Sequence, residues 1–169
     1  MMTPWPKYSE EEISAVSMVL RSGKVNYLYG QNGNLFEKEF SDFVGTKYAL
    51  ALANGTLALD VALRALNISK NDEVIVTPRS YIASVSCVSL LGAKPVFADV
   101  DYNSQNITAE SIKLSITDKT KAIICVHLAG WPCEMDDIML LSKEFNLYVI
   151  EDCAQAHGAK YKGRSVGSI

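Results

Sequence analysis

Two adjacent carboxylates close an apolar run near the end of this 169-residue chain, Leu147-Tyr148-Val149-Ile150-Glu151-Asp152. In a strand of period two, Glu151 and Asp152 point to opposite faces, so only one of them faces a given ligand. An acid buried there asks for a cationic partner. The segment that follows, Cys153 to Gly158, carries the small residues Ala154, Ala156 and Gly158, which leave room for a bulky group. The plain structural alternative is an acid closing a helix N-terminus.

Three further stretches have the residue types for ligand chemistry. In Ala53-Asn54-Gly55-Thr56-Leu57, Gly55 permits a tight turn and Thr56 offers a hydroxyl and an N–H at the start of a helix, which is a phosphate cradle. The alternative is an ordinary strand-to-helix turn with Thr56 as N-cap. The residues from Leu57 to Leu66 are apolar nearly all round and predict a buried helix whose positive end faces a site. Thr77-Pro78-Arg79-Ser80-Tyr81 places an aromatic ring where it either stacks on a planar ligand or simply packs. Val126 to Pro132 leaves a strand with His127, read either as a ligand-facing or as a structural histidine.

Metal chemistry fits less well. Cys125, His127, Cys133, Cys153 and His157 match no zinc spacing, and the four cysteines, with no C-x-x-C pair, read as reduced thiols. Asp99 to Asn103 with Glu110 imitates a calcium loop, but Ser104 stands where the sharp turn needs glycine and the entering segment reads as a strand. No metal is expected.

These loops hang on a regular alternation. Short apolar runs at 48–53, 73–77, 95–100, 121–126 and 147–152 are continuous rather than alternating, as in strands covered on both faces. Helical stretches separate them at about 56–66, 82–91, 108–115 and 135–145, which predicts an α/β fold with a largely parallel sheet and right-handed crossovers. Before them come two helices: one opens at the capping box Ser9 to Glu12 and stops at Gly23, and the other runs through Leu35, Phe36, Phe40 and Phe43 to Gly45. The reading is an N-terminal helical arm over 1–44 and a sheet domain over 45–169. Forty-nine per cent apolar residues supply a core, and a net charge of -3 without a basic block speaks against nucleic acid and favours a small-molecule partner. No run is long enough to span a bilayer, Met1 to Lys7 lacks the apolar centre of a signal peptide, and a cytoplasmic location is expected. The Asn-x-Ser/Thr triplets at Asn54, Asn67 and Asn106 then read as chance matches.

Taken in order, several stretches resemble the DegT/DnrJ/StrS family of pyridoxal-phosphate-dependent sugar aminotransferases. They are Arg21-Ser22-Gly23 with Phe36-Glu37, Asn54 to Leu59, Asp72 to Val76, Gly92 to Phe97, Val126 to Gly130, Glu151 to Ala159 and Gly163 to Ser168. The resemblance implies that pyridoxal 5'-phosphate is the cofactor, with its phosphate at Gly55, Thr56 and the Leu57 amide. Tyr81 would stack on the ring, Asp152 would pair with the ring nitrogen, and Gln155 would lie near the ring hydroxyl. His127 and His157 receive no catalytic step. The family's Schiff-base lysine follows the Gly-Ser stretch by roughly a dozen residues and is expected beyond Ile169, since Lys160 and Lys162 precede that stretch. No catalytic residue is therefore expected within the chain, which resembles an N-terminal portion of the family's proteins: an incomplete large domain without the small C-terminal domain. The implied activity is transfer of an amino group, usually from glutamate, to a nucleotide-linked keto-sugar in polysaccharide or glycoside biosynthesis, by a homodimer with its active site at the interface and the loop Tyr27 to Gly30 a candidate for reaching the partner or the sugar. Two alternatives stay open: a sugar dehydratase, whose relatives carry histidine at the lysine position, and a non-catalytic partner of a full-length paralogue.

Overall fold

The computed structural model describes residues 6–169; the reading of Met1 to Trp5 as no signal peptide lies outside the described residues. The first helix, α1 (Glu10–Ser22), starts where the sequence places it. Glu12 N–H donates to Ser9 Oγ at 3.2 Å and Ser9 N–H to Glu12 Oε2 at 2.7 Å, a reciprocal cap, and Gly23 ends the helix at φ 67°. None of its residues is buried. The second, α2 (Asn32–Val44), ends at Gly45 and lays Phe40 edge-on to His157, with ring centroids 6.0 Å apart.

The body is a four-stranded parallel sheet in the order β2-β1-β3-β4: β1 (Glu73–Val76), β2 (Lys94–Phe97), β3 (Thr120–Val126) and β4 (Tyr148–Asp152). The helices are α3 (Gly55–Ala65), α4 (Ala83–Leu90), α5 (Ala109–Ser115) and α6 (Met135–Phe145). Strand alternation sorts the interior into two layers. Val74, Val76, Ile124 and Val126 pack with Leu59 and Leu63 of α3 and Val88 of α4, while Ile75, Ile123 and Cys125 pack with Ile112 of α5 and Ile138 of α6. Both faces of the inner strands are covered, which is why their sequences are continuously apolar. A small antiparallel hairpin, β5 (Lys160–Tyr161) and β6 (Arg164–Ser165), closes the described chain. Its loop, Lys162 at φ 49° and Gly163 at φ 86°, has the two left-handed residues that a tight hairpin requires.

Two expectations fail here. The run 48–53 forms no strand, because a strand exists only by pairing and these residues have no ladder partner among the described ones. Ala51 N–H goes instead to Glu37 Oε1 at 2.8 Å, the Tyr48 carbonyl accepts from the Thr46 hydroxyl, and Tyr48 and Leu50 stay exposed. Nor is α3 buried all round: only Leu59 and Leu63 are, because its other side opens on a groove.

Candidate functional site

The groove has a volume of about 670 Å³ and lies at the carboxyl end of β4, the position where open α/β sheets bind ligands. Asn54, Gly55 and Ala58 of the α3 entry line one wall, Asp152 and Ala154 another, and Phe36, Phe40 and Phe43 of α2 a third. The structure thus brings Gly55 and Asp152 together across nearly one hundred residues of sequence.

The two acids divide between the faces of the sheet as the strand period requires. Asp152 lies on the side of α3 and α4, where its Oδ2 accepts from Ser84 Oγ–H at 2.9 Å and its Oδ1 from Ala154 N–H at 3.2 Å. No Lys or Arg among the described residues pairs with it. Glu151 turns to the α5/α6 side. One of its oxygens accepts from Gly167 N–H at 2.9 Å and lies 3.1 Å from His127 Nε2, and the other accepts from Ile169 N–H at 2.8 Å. Burial pushes the Glu151 carboxyl up, but His127 and the two backbone N–H groups outweigh it and hold the pKa below its ordinary 4.5.

His127, fully buried, is a structural histidine. Its Nδ1 accepts from Cys133 N–H at 3.0 Å, so the ring proton sits on Nε2 and is donated to Glu151. Burial disfavours a second proton, which the neighbouring thiols and Glu151 favour, but Nδ1 bonded to a backbone N–H has no room for one. The same geometry bears on metal binding at this cluster. Donor atoms of His127, Glu151 and Cys153 lie within 4.8 Å of one another. A metal on Nε2 would leave the ring with no proton at all, whereas a ligating imidazole ordinarily donates its other N–H. The cysteines are free thiols, and burial pushes that of Cys87 up to about 11. In the calcium-like loop, Asp101 Oδ1 is spent on the Asn103 and Ser104 N–H groups at 3.0 and 2.7 Å.

The remaining candidates are less tightly gathered. The N-cap of α3 is Asn54 rather than Thr56: its Oδ1 accepts from Leu57 N–H at 2.9 Å, so one of the amides read as anion donors is engaged by the chain itself. Thr56 lies exposed in the first turn. Asn54→Ala should cost about 1 kcal/mol in urea denaturation; an unchanged midpoint would mean that the cap contributes nothing. Tyr81 is largely exposed at the entry to α4, three residues before Ser84, and Gln155 is exposed with its Oε1 accepting from Ala129 N–H at 2.8 Å. The sequence reading missed Ser84, whose only written signal is its spacing of four from Ser80.

An acid at a strand's carboxyl end, sharing an apolar groove with the N-terminus of α3, is placed where open α/β sheets bind ligands. The chain belongs to the DegT/DnrJ/EryC1/StrS aminotransferase family, whose model matches residues 6–169. It is 46% identical over 163 residues to the dTDP-3-amino-3,6-dideoxy-alpha-D-galactopyranose transaminase of Aneurinibacillus thermoaerophilus, covering 96% of this chain and 44% of that protein. Its backbone matches the aminotransferase from Psychrobacter cryohalolentis with a TM-score of 0.98 at 63% identity, over all of this chain and 43% of that one. A putative sugar aminotransferase from Streptococcus pneumoniae, solved in a PLP form, matches with a TM-score of 0.92 at 32% identity, over all of this chain and 47% of that one. The chain thus spans less than half the length of the relatives it matches.

Proposed function

We propose that this chain carries the ring-holding and phosphate-holding part of a pyridoxal-phosphate-dependent sugar aminotransferase, which moves an amino group from an amino acid, glutamate by family expectation, to a nucleotide-linked keto-sugar. The observation that carries the reading is Asp152. It is a carboxylate with no basic partner among the described residues, in one groove with the α3 entry, and a protonated pyridine ring would supply the missing cation.

When bound, pyridoxal phosphate supplies an electron-withdrawing ring that stabilises negative charge on a carbon losing its proton. The chain's part is to hold it. Asp152 keeps the proton at the ring nitrogen. Gly55 and Thr56 offer N–H groups and a hydroxyl to the phosphate at the positive end of α3. Tyr81 would cover the ring, and Gln155, its oxygen already engaged, would have its NH₂ left to donate to the ring hydroxyl. Neither lysine near the hairpin is suited to covalent capture. Lys162 is held by Asp136 and sits over the Tyr161 ring, contacts that raise its pKa and keep it protonated, and Lys160 is exposed on β5. The homodimer expected from the family, and the 1–44 arm and cytoplasmic location expected from the sequence pattern, belong to this same proposal. The loop Tyr27 to Gly30, with Leu28 and Tyr29 exposed, is its candidate for touching the partner or the sugar.

Pyridoxamine phosphate needs no lysine and is the probe. It should bind the chain weakly, and Asp152→Asn should weaken it by a further factor of about ten or more. Equal binding by the two would overturn the reading. Borohydride treatment with pyridoxal phosphate should trap no stoichiometric lysine adduct; finding one would assign the capture to this chain after all.

A further inference from the structure

Ser84 is the polar residue on the buried face of α4. It is 1% exposed, beside the buried Ala83, Cys87 and Val88. A hydroxyl in such a place costs stability unless it is bonded, and its bond reaches 68 residues along the chain to Asp152. The other neighbour of the hydroxyl is Ser80 Oγ, at 2.8 Å. The direction of this chain follows from proton counting. A carboxylate only accepts, so Ser84 spends its one proton on Asp152, and the Ser80 hydroxyl must then donate to Ser84. Neither serine caps α4, which begins without a side-chain cap.

With Ala154 N–H on Oδ1 and Ser84 on Oδ2, both carboxylate oxygens are engaged and the orientation of the carboxylate is fixed. The turn that starts this relay is the one that carries Tyr81. We infer that Ser84, backed by Ser80, is a positioning residue: it fixes the Asp152 carboxylate for a protonated ring nitrogen and registers the Tyr81 turn against that acid. The inference rests on the reading of the groove proposed above and goes beyond it by naming the group that orients the acid.

The test is a titration of pyridoxamine phosphate into the chain, with the protonation state of the bound ring followed by its absorbance across pH. Ser84→Ala should bind about tenfold more weakly. Its bound ring should lose the nitrogen proton about one pH unit lower than in the parent, because a carboxylate free to rotate holds the pyridinium less well. Ser80→Ala should move both in the same direction by about threefold. Ser142→Ala is the control: another buried helical serine, whose hydroxyl donates to the Met139 carbonyl at 2.9 Å in α6, should leave the ring titration in place. A parent-like titration in Ser84→Ala, or an equal shift in Ser142→Ala, would overturn the role. Asp152→Asn separates the two levels. If it shifts the ring while Ser84→Ala does not, Ser84 alone loses its assignment. If Asp152→Asn shifts nothing, or the parent binds no probe, the reading of the groove falls and takes Ser84 with it.

Discussion

Replacing His127 by alanine is expected to destabilise the chain by about 3 to 5 kcal/mol, among the largest effects of any single substitution in it. Two costs add. The imidazole is fully buried, so its removal leaves a cavity that the β3 and β4 ends close only in part. Its loss also orphans Cys133 N–H and takes from Glu151 one of its three donors. His127→Phe separates the terms, because it restores most of the volume and neither hydrogen bond; it should still cost about 2 kcal/mol. Urea midpoints with unchanged slopes measure both variants. A phenylalanine variant as stable as the parent would show that the ring serves as filler and that its polar contacts are dispensable.

What the residues announced in advance was the inner sheet and the division of its acids. Glu73 to Val76 and Thr120 to Val126 sit within a residue or two of where their apolar runs place them, because burial on both faces writes a continuous pattern; Tyr148 to Asp152, an edge strand whose residues are exposed or half-buried, also falls where its run places it. Period two alone sent Glu151 and Asp152 to opposite layers. The same pattern misled at 48–53, where an apolar run says that a segment wants covering but not whether a neighbouring strand is there to pair with it. It misled again at α3, since composition gives the apolar width of a helix and not the number of neighbours around it. Ser84 was illegible for another reason. Its partner is 68 residues away, and a serine in a helix that holds three of them looks the same whether its hydroxyl returns to the backbone or reaches an acid. His127 was legible only as a choice between roles, which a single backbone donor, Cys133 N–H, decides.

Glu151→Gln should cost about 3 kcal/mol near neutral pH, and that difference should shrink as the solution is acidified. The substitution keeps the shape but replaces one acceptor oxygen by an NH₂ group, which meets either His127 Nε2–H and Gly167 N–H or Ile169 N–H, donor against donor. The pH dependence follows from the direction of the shift. Glu151 is held below 4.5 in the folded chain, so its contribution is complete above the unfolded value and is lost as pH falls through the folded one. The parent therefore loses stability on the acid side that the glutamine variant does not have to lose, and the two curves converge below about pH 4. They should not become flat. Glu73, on the buried side of β1, is held down by Lys94 at 2.8 Å and by the Thr117 hydroxyl at 2.6 Å, against its burial, and titrates in the same window in both proteins. Denaturation curves between about pH 3 and pH 7 make the comparison. A stability difference that stays constant across that range would mean that the charge of Glu151 plays no part, and that the Gly167 to Ile169 segment is held to β4 by packing alone.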